Sequence, residues 1–261
     1  MVTRRRLPDG RRIAQVDPGE AALLYREIFV EHSYRRAGFP GRAVDVVLDV
    51  GANIGLASMY FKQEHPAAFV AAAEPGPDTF AALRENFELH VPGGQAFQVA
   101  VAEQAGTARL GYYPSAPAES GFHVDPAGDT ELARRLLVQA GMPEPDAARL
   151  ATRRHQVRYV DCRTVTVSDL IAQTGADRVD LLKIDVEKSE AEVLAGIAEH
   201  DWPRIGALVV EVHDLQGRLR HVANRLSELG FAVHVEQEER LLDTDMHMVF
   251  AMRRPNSAGR S

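Results

Sequence analysis

The sequence predicts an α/β protein built on a doubly wound, mostly parallel seven-stranded sheet with an antiparallel closing strand. Short apolar runs alternate with amphipathic segments along most of the chain, the signature of parallel strands joined by crossover helices. The first of these runs, Val46-Val47-Leu48-Asp49-Val50, ends in the small-residue turn Gly51-Ala52-Asn53-Ile54-Gly55. Ionisable residues gather just past the ends of the apolar runs: Asp49, Glu74, Glu103, Asp185, Glu211 and His213. In such sheets ligands bind at the carboxyl ends of the strands, so these residues are expected along one edge.

The chain has 261 residues, 45% hydrophobic and 26% charged, enough for one well-buried domain with decoration. No apolar run reaches the length of a membrane helix. The cations Arg4, Arg5 and Arg6 have no apolar segment behind them, so no secretory signal is expected there. A single cysteine, Cys162, excludes an intrachain disulfide and suits a cytoplasmic protein. The net charge of −7 argues against a general nucleic-acid binder. The early arginines, joined by Arg11 and Arg12, are expected to form a solvated strap.

Residues 1–40 read as an arm, with a turn at Pro8-Asp9-Gly10 and a helix over 19–36. Gly38-Phe39-Pro40-Gly41 then opens the main domain, 41–254. After the first strand, turn and helix, a second strand at 69–73 runs into Glu74-Pro75, and a helix is expected over 78–89. A third strand is predicted over 95–101 with Ala102-Glu103 at its tip, and a fourth apolar run at 107–113. Residues 114–154 depart from this rhythm, with prolines and glycines and then helical segments near 129–140 and 144–154. An excursion of that length is expected to be a lid or substrate-binding insert. Strands follow at 157–165, 179–186 and 205–212. Thr166 with Asp169, and Ser189 with Glu192, look like capping boxes for the helices after the first two. A helix at 218–229 ends at Gly230, runs at 231–235 and 247–252 suit an antiparallel pair, and the tail 255–261 is expected to fray.

The turn after the first strand suits a nucleotide cofactor. Gly51 permits a positive φ or close approach of a ligand, Gly55 permits close packing of the helix, and Asp49 is an acceptor for an ammonium or hydroxyl. The turn would also aim helix N–H groups at the ligand. The spacing is not the G-x-G-x-x-G of dinucleotide sites. Glu74, about twenty residues past the glycines, is placed to accept from both ribose hydroxyls. Strand alternation puts Lys183 and Asp185 on one face. His213, with an unperturbed pKa near neutrality, is the natural general base. Asp185 is its rival or a positioning group, and Lys183 would orient Asp185 or stabilise an alkoxide. A second reading gives Asp185, Glu211 and Asp214 to a hard Mg²⁺ ion that would acidify a bound hydroxyl.

The Asp49-x-Gly51-x-Asn53-x-Gly55 spacing is similar to the D-x-G-x-G-x-G turn of S-adenosylmethionine enzymes, with Asn53 in the place of the middle glycine. Over about residues 5–252 the chain resembles the FkbM family of class I methyltransferases. The resemblance is carried by Tyr25-Arg26-Glu27-Ile28-Phe29, by Asp49 to Gly55, by Glu74-Pro75, and by Leu182-Lys183-Ile184-Asp185-Val186-Glu187. Ser120-Gly121-Phe122-His123 and Glu187-Lys188-Ser189-Glu190 resemble the branch associated with polyketide and nonribosomal peptide pathways. Many relatives have a small Gly-Ala step where this chain has Lys188-Ser189. The resemblance implies a Rossmann-like fold and S-adenosylmethionine held by Asp49, Gly51, Ala52, Asn53, Gly55, Glu74, Pro75, Ala102, Glu103 and Asp185. It also implies O-methylation of a hydroxyl on a secondary metabolite or sugar, with His213, Asp185 and Lys183 as catalytic residues and no metal among the site ligands. An RNA 2′-O-methyltransferase and a non-catalytic S-adenosylmethionine-binding module are the rival readings. The expected partner is a small-molecule acceptor, with no nucleic acid and no membrane; a homo-oligomer or a partner biosynthetic enzyme stays open.

Overall fold

The computed structural model describes residues 1–237, 241–242 and 244–254. The tail expected to fray, 255–261, lies outside the described residues. The main sheet contains β3 (Val46–Val50), β4 (Phe69–Ala73), β5 (Gln95–Phe97), β9 (Val179–Ile184), β10 (Ile205–His213), β11 (Phe231–Glu236) and β12 (Met246–Arg253). Its order is β11-β12-β10-β9-β3-β4-β5, and β12 runs antiparallel to both of its neighbours. The strand order reverses between β3 and β9, which opens a crevice at their carboxyl ends.

The apolar alternation of β3 explains the layers. Val47 faces a core made with α2 (Leu56–Glu64) and α3 (Pro77–His90), while Leu48 and Val50 face α6 (Val167–Thr174), α7 (Glu190–Ala195) and α8 (Arg218–Glu228). Both faces are covered, which is why β9 is buried at every position from Val179 to Ile184. A hairpin of β1 (Thr3–Arg6) and β2 (Arg12–Gln15) sits on the α2–α3 side. Its Ala14 exchanges hydrogen bonds with buried Asn86 of α3 at 2.7 and 2.9 Å. A second sheet, in the order β6 (Ala100–Val101), β8 (Arg158–Val165), β7 (Gly106–Tyr112), holds the insert between β7 and β8. The insert contains α4 (Pro126–Gln139) and α5 (Glu144–Arg154).

Four local expectations change. The predicted helix over 19–36 is α1 (Pro18–Tyr25), capped by Asp17, followed by one π-helical turn, Arg26–Val30, and then irregular chain. The predicted strand over 95–101 is two strands: β5 pairs with β4, and β6 leaves to pair with β8 in the other sheet. The capping box at Thr166 and Asp169 forms, but Ser189 makes no cap hydrogen bond and its hydroxyl is buried without a partner. There Glu190 takes over, accepting from Lys188 N at 2.8 Å. Gly55, expected to bring the helix close to a strand, instead clears the way for α3: a Cβ would meet Leu83 Cδ1 at 2.6 Å.

Candidate active site

The β3–α2 turn runs through three left-handed residues, Gly51 (φ 74°), Asn53 (φ 49°) and Gly55 (φ 89°). Asparagine tolerates that region better than most side chains, so Asn53 substitutes for a glycine without breaking the turn. The N–H groups of this turn are spent on the protein. Gly51 and Ala52 donate to Ala73 O, Asn53 to Glu74 Oε2 at 2.9 Å, Ile54 to Asn53 Oδ1 and Gly55 to Ala52 O. The expected cradle of N–H groups is therefore closed over residues 51–55. That suits a cofactor whose reactive part carries no phosphate and argues against a pyrophosphate site. A Cβ on Gly51 would run into the carbonyl oxygen of Asp185, so this glycine is required by the β3–β9 junction itself.

Glu74 leaves β4 beside that turn, ahead of half-buried Pro75. Its carboxylate accepts from Asn53 N, Gly76 N at 2.8 Å and Thr79 Oγ1 at 2.7 Å. Burial raises its pKa, and the three donors work against that shift. It is held rigidly at a strand tip, as a ribose acceptor must be. The strand tip next to it is Phe97, whose carbonyl accepts from Glu74 N, rather than Ala102-Glu103. Ala102 and the exposed Glu103 lie further along, where their backbone packs on Gly196 after α7.

Asp49 is only 1% exposed. Its carboxylate accepts from Ser58 Oγ of α2 at 2.5 Å and pairs with Lys183 Nζ at 3.1 Å. Sealed in this way, it anchors the turn from beneath and does not present itself to a ligand as the sequence suggested. Lys183 Nζ also donates to Gly51 O at 2.6 Å and pairs with Asp185 Oδ2 at 3.3 Å. Burial opposes the charge on Lys183, but Asp185 and Asp49 outweigh it and its pKa is raised well above the ordinary lysine value. One ammonium thus ties the cofactor turn to the β9 tip. Lys183 and Asp185 share a face, as alternation required. Asp185 is the more open partner, its side chain 28% exposed.

Past β9 the chain makes two consecutive left-handed residues, Glu187 (φ 50°) and Lys188 (φ 69°). The turn brings Glu187 Oε2 to 3.3 Å from His213 Nε2 at the end of β10. His213 Nδ1 lies 3.0 Å from Glu190 Oε1, and Glu190, fully buried, also pairs with Arg218 at 3.2 Å. Burial disfavours a charged ring here, yet hydrogen bonds and charge from Glu187 and Glu190 outweigh it and push the His213 pKa up to about 11. A carboxylate at each ring nitrogen favours the imidazolium over the neutral ring that a general base needs. Glu187 and Glu211 have raised pKa values, first from burial; neighbouring carboxylates add to the effect in both. For Glu187 the imidazolium offsets part of the rise. Tyr34, also raised by burial, lies within electrostatic range of Lys183, Asp185 and Glu211.

The set suggested for a metal does not assemble as expected. Asp214 turns away to accept from Leu219 N at 3.1 Å, at the start of α8. Among the described residues, Glu187, Glu211 and His213 bring ligand atoms within 4.8 Å of one another. Both ring nitrogens of His213 already face carboxylates, so a metal there would have to displace one of those contacts.

The insert and the arm meet over these groups. A Cβ on Gly121 would lie 2.8 Å from Glu187 O, so the first stretch of the insert sits directly on the Glu187 turn. Glu20 of α1, 6% exposed, accepts from Asn53 Nδ2 at 3.0 Å and from Ala118 N at 2.9 Å. Burial raises its pKa to about 7, against the pull of those donors. Glu119 joins the insert's two ends, with Oε2 2.7 Å from His155 Nε2 and Oε1 3.0 Å from Arg154. Sequence reasoning missed the roles of Glu20, Glu187, Glu190 and Tyr34. Glu187 and Glu190 stood inside the motif after β9, but their approach to His213, 23 positions on from Glu190, is visible only in the fold. Glu20 offered none, since its partners lie 33 and 98 positions away.

A phosphate-free glycine turn at the switch point, a clamped acidic residue on the next strand, and an antiparallel β12 inserted beside β10 define a class I S-adenosylmethionine-dependent methyltransferase. Residues 49–233 match the family model described as the methyltransferase FkbM domain. The chain is 45% identical to the 31-O-demethyl-FK506 methyltransferase FkbM of Streptomyces tacrolimicus, covering 95% of this chain and 96% of that protein. It is 32% identical to part of the AMB antimetabolite synthetase AmbE of Pseudomonas aeruginosa, covering 95% of this chain but 12% of that protein. The crystal structure of methyltransferase FkbM from Methylobacillus flagellatus KT superposes with a TM-score of 0.52 at 12% identity, over 80% of this chain and 44% of that one. The chain belongs to the FkbM methyltransferase family. Among the described residues no helix is long and apolar enough to cross a membrane.

Proposed function

We propose that this methyltransferase methylates a hydroxyl of a small secondary metabolite or sugar, with Glu187 as the base. The observation that carries this reading is the Glu187 carboxylate, fixed 3.3 Å from an imidazolium beneath the insert and beside Asp185 and Glu211. Glu74 would hold the ribose, and Asp185 would accept from the cofactor ammonium or the acceptor hydroxyl. S-adenosylmethionine supplies an activated methyl on a sulfonium, already a good leaving group. The protein's share is alignment, exclusion of water and removal of one proton. Bound S-adenosylmethionine would supply its methyl group to the acceptor oxygen, and Glu187 would accept the hydroxyl proton. A base works best when its pKa approaches the working pH, and burial moves Glu187 in that direction. His213, held by Glu190 and Arg218, keeps Glu187 in place and keeps it ionised.

The relative named as a methyltransferase of 31-O-demethyl-FK506 supports an acceptor of that kind. An acid-lined acceptor side and a net charge of −7 favour a neutral polyol over RNA phosphates. The test is transfer of a labelled methyl to a metabolite pool and to RNA, followed by pH–rate profiles. Glu187→Gln should lower kcat by about 10²–10⁴-fold. His213→Gln should move the alkaline-rising step to higher pH, because the charge that holds the Glu187 pKa down is gone. A step that disappears with His213→Gln while Glu187→Gln stays active would return the base role to the histidine. Activity lost to EDTA and restored by Mg²⁺ would replace this scheme with a metal-assisted one.

A further inference from the structure

Lys188 stands where the backbone would favour glycine. Its φ of 69° follows another left-handed residue, and a long side chain there costs of order 1 kcal/mol or more. The conformation is held from both sides, by Lys188 N donating to Glu190 Oε1 at 2.8 Å and by Arg218 donating to Lys188 O at 2.6 Å. The strained backbone therefore belongs to the same network that fixes His213. Its side chain does something separate. Lys188 Nζ crosses to the insert and donates to Asp129 Oδ1 at 2.8 Å, in the first turn of α4. Asp129 also accepts from Tyr113 OH at 2.8 Å and from Asp125 N at 3.1 Å. The pair is largely shielded, with side-chain exposures of 23% and 12%. Tyr113 is fully buried at the point where the chain leaves β7. One carboxylate thus gathers the root of the insert, the start of its first helix and the turn bearing Glu187.

We propose that Lys188 is a positioning residue for the acceptor: its ion pair with Asp129 holds α4 over Glu187 and sets the room left for the acceptor alcohol. The inference rests on the O-methyl transfer reading, since it takes Glu187 to face that alcohol. The cofactor side lies under a different set of contacts, at Asn53, Glu74 and Lys183, so the tie acts on one substrate only. Gly121, packed on Glu187 O, gives the insert a second point of support, so breaking the tie loosens α4 without unseating the whole excursion.

The test is a double-mutant cycle of Lys188→Met and Asp129→Asn, with Lys188→Gly and Lys188→Arg as further variants. Cofactor affinity is read by calorimetry with S-adenosylmethionine. Turnover is read with trans-1,2-cyclohexanediol, a minimal secondary alcohol, and the insert by amide hydrogen exchange. Each single variant should raise KM for the diol about tenfold with kcat changed less than about threefold and cofactor affinity unchanged. The double variant should do no more than either single one. Exchange across the first turn of α4 should quicken in step, and Lys188→Arg should restore both. Lys188→Gly separates positioning from folding: it relieves the strained φ, so it should melt no lower than the wild type while still raising KM. Additive effects in the cycle, or α4 exchange that stays at the wild-type rate, would overturn the proposal. If the wild type does not turn over this diol, the exchange cycle alone decides the tie, and the O-methyl reading stands or falls by transfer to the metabolite pool.

Discussion

Glu74 holds the turn, and in the proposed reading it would hold the cofactor as well. Removing it takes an acceptor from Asn53 N, Gly76 N and Thr79, and would take one from the ribose. Glu74→Ala should weaken S-adenosylmethionine binding by roughly 1.5–3 kcal/mol, about ten- to a hundredfold, seen by calorimetry, with a lowered melting temperature beside it. Gly51→Val is a different experiment. Its side chain meets the Asp185 carbonyl, so loss of folding rather than loss of ligand is the expected result. His213 gives a pH signature. Its folded pKa, about 11, lies above that of a free histidine, so its stabilising contribution is complete below about pH 6.5 and is lost as pH climbs through 11. Its ring nitrogen chemical shifts should stay those of an imidazolium from pH 6 to 9; a titration within that range would refute the placement. Residue types at strand tips were legible in the sequence, including the Lys183–Asp185 face. What each side chain is bonded to was not. Asp49 is sealed by Ser58 and Lys183, the latter far away in sequence, and no local pattern distinguishes a sealed carboxylate from an open one.

At the scale of elements, strong local signals matched the structure and weak ones drifted. The Thr166 box formed because both partners sit in one turn, and Thr166→Ala should cost about 1 kcal/mol in a urea unfolding series. The Ser189 box does not form: Glu192 Oε1 lies 3.1 Å from His123 Nε2 of the insert, and the nearby Lys188 N–H goes to Glu190. The expected 95–101 strand looked continuous because no turn residue separates the two pieces; only the register with β8 shows that Ala100 and Val101 belong to another sheet. The insert's two helices were legible to within a few residues. Replacing 125–153 with a short linker, while keeping Glu119 and His155, should leave cofactor affinity within about threefold and abolish transfer. A shortened chain that folds and still methylates the natural acceptor would refute the lid.

For the whole molecule, the sequence suggested an arm followed by a domain, but the arm is knit into the core. Ile13 and Ala14 are buried, Ala14 is bonded to Asn86, and Glu20 reaches both the cofactor turn and the insert. Deleting residues 1–36 should therefore remove both folding and cofactor binding together, in one calorimetric transition, rather than leave a competent domain. The doubly wound order was readable because alternation and handedness allow few alternatives. The contacts between arm, turn and insert were not, because each joins segments that are distant in sequence.

The insert leaves and re-enters the fold through neighbours, Tyr112 and Arg158, which are paired across β7 and β8. Its two ends are thus already together, so the length of polypeptide between them adds little to the cost of closing the loop. Doubling that length would add only about 0.6 kcal/mol of closure cost. The junction is a graft port: a foreign excursion spliced there, provided that it supplies its own cover for the Glu187 turn and its own donor for Glu20, would retarget the enzyme to a new alcohol while keeping the methyl-donor side.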